Sequence, residues 1–249
     1  MKRLIAFFLI IIHLVSLSAC AEPLRLADDY QGKIVIPYDT DPSSGSFVFS
    51  YRYPCIDPSE EDASIVNSFY LEQIDMDESN MQFFADGYAE TGESVSKEVH
   101  YQITCNNDDY FSVLIIQDLA VSDHKRTIWS GNTFSRNNGE IGSAFDLPRI
   151  LGILDSQELD DDRIEYQSEK AEDIVLEMMM DRIFENPDNI PYFPDVTYLY
   201  LKSYVSPKED FYLDESGNPV FFIVPGVVAD ESEGYLEYPI LLEDIMDEL

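Results

Sequence analysis

The chain has 249 residues, with 15 Lys and Arg against 49 Asp and Glu, a formal charge of −34 at pH 7. Such a surface repels nucleic acid and anionic lipid headgroups, and leaves cationic proteins, cationic peptides or divalent ions as the expected partners, unless the charge only keeps the protein soluble. Hydrophobic residues make up 45% and aromatic residues 13% of the chain, which excludes a disordered polymer and allows a real core.

Met1, Lys2 and Arg3 precede an apolar run from Leu4 to Val15, interrupted by His13 and ending in Leu17-Ser18-Ala19-Cys20. A basic start and a short apolar stretch form a secretory signal. The run is shorter than the roughly 20 residues needed to cross a bilayer core. A small residue before a cysteine at its end is a bacterial lipobox. Cleavage before Cys20 and acylation of its thiol are therefore expected, which places the protein at the cell envelope, lipid-anchored and extracytoplasmic. Loss of residues 1–20 removes Lys2 and Arg3 but no acid, and brings the charge to −36.

Residues 21–45, rich in Asp, Pro, Ser and Gly, read as a tether to a folded domain over 46–249. Phe47, Phe49, Tyr51 and Tyr53 alternate as a strand over Phe47–Cys55, closed by Pro54 and Pro58. Ser59-Glu60-Glu61-Asp62 resembles a capping box. Helical spacing of Ile65, Val66, Phe69 and Tyr70 follows, and continues through Met81, Phe84 and Tyr88 after a break near Asp75–Ser79. This aromatic and methionine stripe is expected to face the core. Three strands are predicted at Lys97–Cys105, Tyr110–Val121 and Arg126–Ser135, with a polar turn at Asn106–Asp109. Asn137-Asn138-Gly139 signals a hairpin. A second helix is predicted over Ser168–Glu185, stopped by Asn186-Pro187. Strands return at Thr197–Tyr204, Asp210–Leu213, Pro219–Val224 and Tyr235–Ile240, before a short acidic helical tail. Strands at both ends with helices between give an α+β fold, a mainly antiparallel sheet with two principal helices packed on it.

Beyond Cys20 only Cys55 and Cys105 remain, a candidate disulfide in an exported protein; the alternative is two separate buried thiols. His100 falls in a strand and His124 in a turn, neither with the close second ligand that a zinc site needs. Asp160-Asp161-Asp162 and Asp230-Glu231-Ser232-Glu233 are carboxylate clusters without the spacing of a calcium loop, and read as solvated loops. No nucleophile elbow, phosphate-binding glycine loop or dinucleotide fingerprint occurs. No metal, cofactor or catalytic residue is expected, and the chain is not expected to be an enzyme.

Over residues 47–245 the order of motifs resembles the RsiV-type extracytoplasmic domain, the sensor part of an anti-sigma factor, related to the module that precedes PdaC-type peptidoglycan deacetylases. The resemblance rests on Tyr53-Pro54, Ile65 and Asn67, then Phe111-Ser112-Val113, His124, Thr133-Phe134, Gly139 and Asp146-Leu147. It is densest at Asp210-Phe211-Tyr212, Gly217, Val220-Phe221-Phe222, Pro225, Gly234 and Tyr238-Pro239-Ile240. Val121-Ser122-Asp123 stands where the family often has two glycines and an alanine. The resemblance implies a binding or sensing module at the envelope. Neither anti-sigma activity nor deacetylation is expected, since the chain carries no segment for either. The anti-sigma relative recognises lysozyme, a cationic protein, so a cationic envelope-directed protein or peptide is the expected ligand. The competing expectations are a carboxylate-dependent cell-wall glycan enzyme and a structural accessory of an envelope complex.

Overall fold

The computed structural model describes residues 23–38, 45–60, 63–136, 146–154 and 160–249. The leader with Cys20 and the Asn137-Asn138-Gly139 signal lie outside them. The aromatic alternation after Ser46 becomes strand β2 (Ser46–Tyr53), in which Phe47, Phe49 and Tyr53 are buried. It belongs to a five-stranded sheet whose order follows the chain: β1 (Tyr30–Pro37), β2, β3 (Val95–Asn106), β4 (Tyr110–Val121) and β5 (His124–Ser135). All neighbours are antiparallel except β2 and β3, which run parallel. A parallel pair cannot close by a hairpin. Helix α1 (Ala63–Ala89) makes the crossover.

Within the segment read as a tether, the described residues from Leu24 to Tyr38 are folded onto the domain. Tyr30, Ile34 and Ile36 alternate with exposed Gln31, Lys33 and Val35, and the strand pairs with β2 along its whole length. Its period was hidden because only one short apolar run interrupts a loop-like composition.

Helix α1 is continuous, with no break at Asp75–Ser79. Ser79 Oγ and Asn80 Nδ2 donate back to the carbonyls of Asp75 and Met76. Asp77 turns inward instead, accepting from Tyr53 Oη at 3.0 Å and pairing with Lys97 at 2.7 Å. Ile74 and Met81, two helical turns apart, hold one buried stripe through the polar stretch. Ring contacts Phe47–Phe84, Tyr53–Tyr70 and Phe69–Phe134 seat the helix on its sheet. Each large side chain buried here contributes roughly 1.5–3 kcal/mol against exposure.

The second half begins with a short turn, α2 (Leu147–Ile150), capped by Asp146, and the long helix α3 (Asp161–Glu185). Helix α4 (Tyr198–Tyr204) leads into a three-stranded antiparallel sheet, β6 (Phe211–Leu213), β7 (Pro219–Ile223) and β8 (Leu236–Pro239), followed by α5 (Leu242–Glu248). Val175, Leu176 and Met179 of α3 share a core with Phe211, Leu213, Phe221 and Tyr238 of this sheet. The fold is α+β, mainly antiparallel, with two principal helices, α1 and α3, each on its own sheet.

Helix α3 starts seven residues before the predicted Ser168. Asp160 accepts from the Arg163 N–H as its cap, and Asp161 and Asp162 occupy its first turn. The acidic triplet is therefore a helix start, where carboxylates meet the positive end of the dipole. The predicted strand Thr197–Tyr204 is helix α4, capped by the Thr197 side chain. Its Tyr-Leu alternation imitates a strand, yet helical winding buries Leu201 and leaves Leu199 74% exposed. Tyr198 and Lys202, one turn apart, both reach Asp173 of α3.

Cys55 and Cys105 are both buried and free, so the expected disulfide is not formed. A β-bulge between Ile103 and Cys105 explains this. The extra residue, Thr104, turns Cys105 to the face it shares with Ser112, where it joins the core of the second half. Its thiol lies 4.0 Å from the Tyr110 carbonyl, and burial pushes its pKa up to about 11. Cys55 lies two residues beyond the end of β2, where its thiol donates to the Ile56 carbonyl. Its interaction with Tyr30, then burial, pushes that phenol up to about 12.

Candidate functional site

The two sheets meet on the outer part of β4 and β5. A Cβ at Gly131 of β5 would fall 1.7 Å from the Phe211 carbonyl oxygen, so only glycine lets β6 lie against this strand. Ser112 and Thr133 exchange a hydroxyl hydrogen bond of 2.9 Å, and Ser112 Oγ accepts the Leu213 N–H at 3.0 Å. Buried hydroxyls thus fasten the edge of the small sheet to the large one.

Beside this junction lies a cleft of about 720 Å³. One wall is the start of β5, from His124 to Trp129; the other is the chain after β7, with Val224, Pro225, Glu231, Gly234 and Tyr235. A two-residue turn with Ser122 at φ 51° joins β4 to β5, so His124, Lys125 and Arg126 come first on the strand and all three are exposed. Opposite, Asp230 accepts from the Ser232 hydroxyl and N–H, which hold its carboxyl below the usual range. Gly234 then takes φ 73°, ψ −156°, a conformation essentially restricted to glycine, and delivers Tyr235 into the cleft.

There the Tyr235 ring stacks on Trp129 at 4.2 Å and 5° between planes, and Phe222 meets both edge-on. The Tyr235 hydroxyl accepts the Trp129 N–H at 2.9 Å and donates to the Thr127 carbonyl at 3.2 Å. Burial raises its pKa, opposed by the Trp129 hydrogen bond and by the charge of Arg126. Lys125 pairs loosely with Asp118 at 3.8 Å.

The cleft collects three of the residues that carry the sequence resemblance, His124, Pro225 and Gly234, while a fourth, the buried Phe222, packs edge-on against its Trp129–Tyr235 stack. His124 is the first residue of β5 rather than part of a turn. Most of the other resembling positions build the frame. Asn67, for instance, is buried and bonds both the N–H and C=O of Ile56 at 2.8 Å. His100 sits apart, on the open face of the sheet near Ser50, Arg52 and Glu98. Trp129, Tyr235, Lys125 and Arg126 were not singled out in the sequence. The signals available were that Trp129 is the chain's single tryptophan and that three basic residues stand in a row in an acidic chain.

Among the described residues no group of three or more His, Cys, Asp or Glu side chains is placed to hold a metal ion. Glu231 is the single carboxylate lining the cleft. A shallower groove between α3 and α4 holds Glu172, raised by burial, and Asp173, lowered by Lys202 and Tyr198. Asp173 is held there by Lys202 and Tyr198, which occupy its carboxylate. No described helix is long and apolar enough to cross a membrane.

No family model and no curated protein matches the chain. Among solved structures, a DUF3298-family protein from Bacteroides fragilis aligns with a TM-score of 0.56 at 12% identity, over 90% of this chain and 93% of that one. A DUF3298-family protein from Pseudomonas aeruginosa aligns with a TM-score of 0.51 at 12% identity, over 91% and 94%. The chain has the DUF3298 fold. That likeness covers at least 90% of the chain, so it spans both halves described above.

Proposed function

We propose that this DUF3298-fold chain is a lipid-anchored, extracytoplasmic binding or sensing module that captures a cationic envelope-directed protein or peptide, with lysozyme as the type of ligand. The observation that carries the reading is the placement of the charge. Helix α1 exposes Glu72, Asp75, Glu78 and Asp86, and α3 exposes Glu165, Glu169, Glu177, Asp181 and Glu185. Both long helices thus turn carboxylates to solvent, and a field of one sign raises the encounter rate with a basic partner. The lipobox at Cys20 and the resemblance to RsiV-type domains support the location. A hydrolase of cell-wall glycan is less favoured, because that chemistry needs two carboxylates across one bond and the cleft offers Glu231 alone.

Labelled palmitate fed to cells making the wild type and Cys20→Ser tests the anchor: label and membrane recovery are expected for the first and absent from the second. Capture of lysozyme by the membrane-bound wild type, and not of a neutral protein of similar size, tests the ligand class. Unlabelled wild type, or equal capture of both proteins, contradicts the reading.

A further inference from the structure

The hairpin register pairs Val121 with His124, Leu119 with Arg126 and Gln117 with Ile128. In an antiparallel ladder closed by a two-residue turn, the hydrogen-bonded pairs alternate from the turn outward. The backbone groups of Lys125, Thr127 and Trp129 therefore face away from β4, into the cleft. Tyr235 confirms the direction, since its hydroxyl takes the Trp129 N–H and the Thr127 C=O. Its phenol caps the edge at that point. No strand covers the remainder: β5 is the last strand of its sheet, and no described residue bonds the Lys125 N–H and C=O or the Thr127 N–H on that side.

The geometry points to this open edge as a docking site for an extended acidic peptide segment, added as a sixth strand along Lys125–Thr127. Three features select that occupant. Unpaired edge groups are a template for another strand, and main-chain hydrogen bonds would supply its register. Val224 and Pro225 form an apolar opposite wall at the side of the cleft, suited to alternate side chains of an extended chain. His124, Lys125 and Arg126 flank the edge in succession on alternating faces, and Arg126 makes no ion pair among the described residues. Acidic side chains on either face of a docked strand would meet one of them. The site goes beyond capture of a cationic partner, because it lies on a different surface and has the opposite sign.

Trp129 reports on the site directly, being the single tryptophan of the chain. The full-length protein in detergent micelles is titrated with a capped peptide of alternating Val and Glu, free of tryptophan, while indole emission is followed. Saturable change is expected. Arg126→Glu, at an exposed position that leaves the core intact, is expected to weaken binding at least about fivefold, the scale of one lost charge contact. Peptides N-methylated on alternate residues separate strand addition from simple charge attraction: methylation of one register is expected to abolish binding and of the other to spare it. No saturable change, equal binding in both methylated registers, or tighter binding of the matching Val-Lys peptide overturns the proposal. A concentration-dependent dimer that Arg126→Glu dissolves would assign the edge to a second copy and overturn it as well. These results leave capture of a basic protein by the acidic helices unaffected.

Discussion

The Tyr235 hydroxyl stands where a neighbouring strand's backbone would be, accepting the Trp129 N–H at 2.9 Å and donating to the Thr127 carbonyl at 3.2 Å, while its ring stacks on the same tryptophan. One side chain thus ends the exposed edge of β5 and forms the end wall of the cleft. Tyr235→Phe keeps the stacking and removes both hydrogen bonds. The expected loss is about 1 kcal/mol of stability, with faster hydrogen exchange at the Trp129 amide. Tyr235→Ala removes the stack too and is expected to shift tryptophan emission to the red. Urea unfolding, amide exchange and fluorescence check the pair.

The junction of the sheets rests on the missing side chain at Gly131. Gly131→Ala drives a methyl into the Phe211 carbonyl, a collision with backbone that no rotamer relieves. The variant is expected to lose more than about 3 kcal/mol or to fail to fold, because the whole small sheet must shift. Gly87→Ala, on an open helical surface with nothing within 4 Å, serves as the control and is expected to be neutral or slightly stabilising. Thermal unfolding distinguishes them.

Tyr70 is fully buried, and its hydroxyl has no hydrogen-bond partner among the described residues. A buried unpaired hydroxyl costs about 1–3 kcal/mol, so Tyr70→Phe is expected to raise stability, by roughly 1 kcal/mol after loss of polar contacts in the unfolded chain. Burial also raises the pKa of Tyr70, Tyr53, Tyr101, Tyr212 and Tyr238 above 10. Their protons are kept in the folded state where the unfolded chain has begun to release them. Stability from this source is complete below pH 10 and falls as pH rises beyond it. The share of phenolate absorbance that belongs to these five tyrosines is expected to appear together with loss of circular dichroism, in one cooperative step; their titration before unfolding would contradict this.

The two thiols are both buried and are unbridged. In the native protein both are expected to resist a bulky thiol reagent, and both to react once guanidine unfolds the chain. The high pKa of Cys105 slows its reaction further at neutral pH. Identical mobility with and without reductant, after blocking free thiols, is the companion result. A reductant-dependent shift contradicts the arrangement.

Much of the frame was legible because burial on one side writes a period into the chain. Phe47, Phe49 and Tyr53 gave a strand, and Ala171, Ile174, Val175 and Met179 a helix, since each set packs on a single core. Failures came where local pattern and tertiary context disagree. Tyr198-Leu199-Tyr200-Leu201 alternates like a strand, but the Thr197 cap and the Asp173 contacts wind it into a helix. The bulge at Thr104 leaves no mark in the sequence, and it decides the fate of Cys105. The cleft was hidden for a different reason. Trp129 and Tyr235 lie 106 residues apart, and neither has a motif around it. Sequence placed His124, Pro225 and Gly234 in a resemblance without saying that they surround one space.

The proposed capture by the acidic helices makes a kinetic demand that can be measured directly. The association rate constant of lysozyme with the full-length protein is followed as salt rises from about 0.01 to 0.3 M, a range that shortens the screening length from roughly 30 Å to under 10 Å. A field-driven encounter predicts that this rate falls steeply, by at least about tenfold, while dissociation changes little. An association rate indifferent to salt, or the absence of any saturable complex at the lowest salt, contradicts the account.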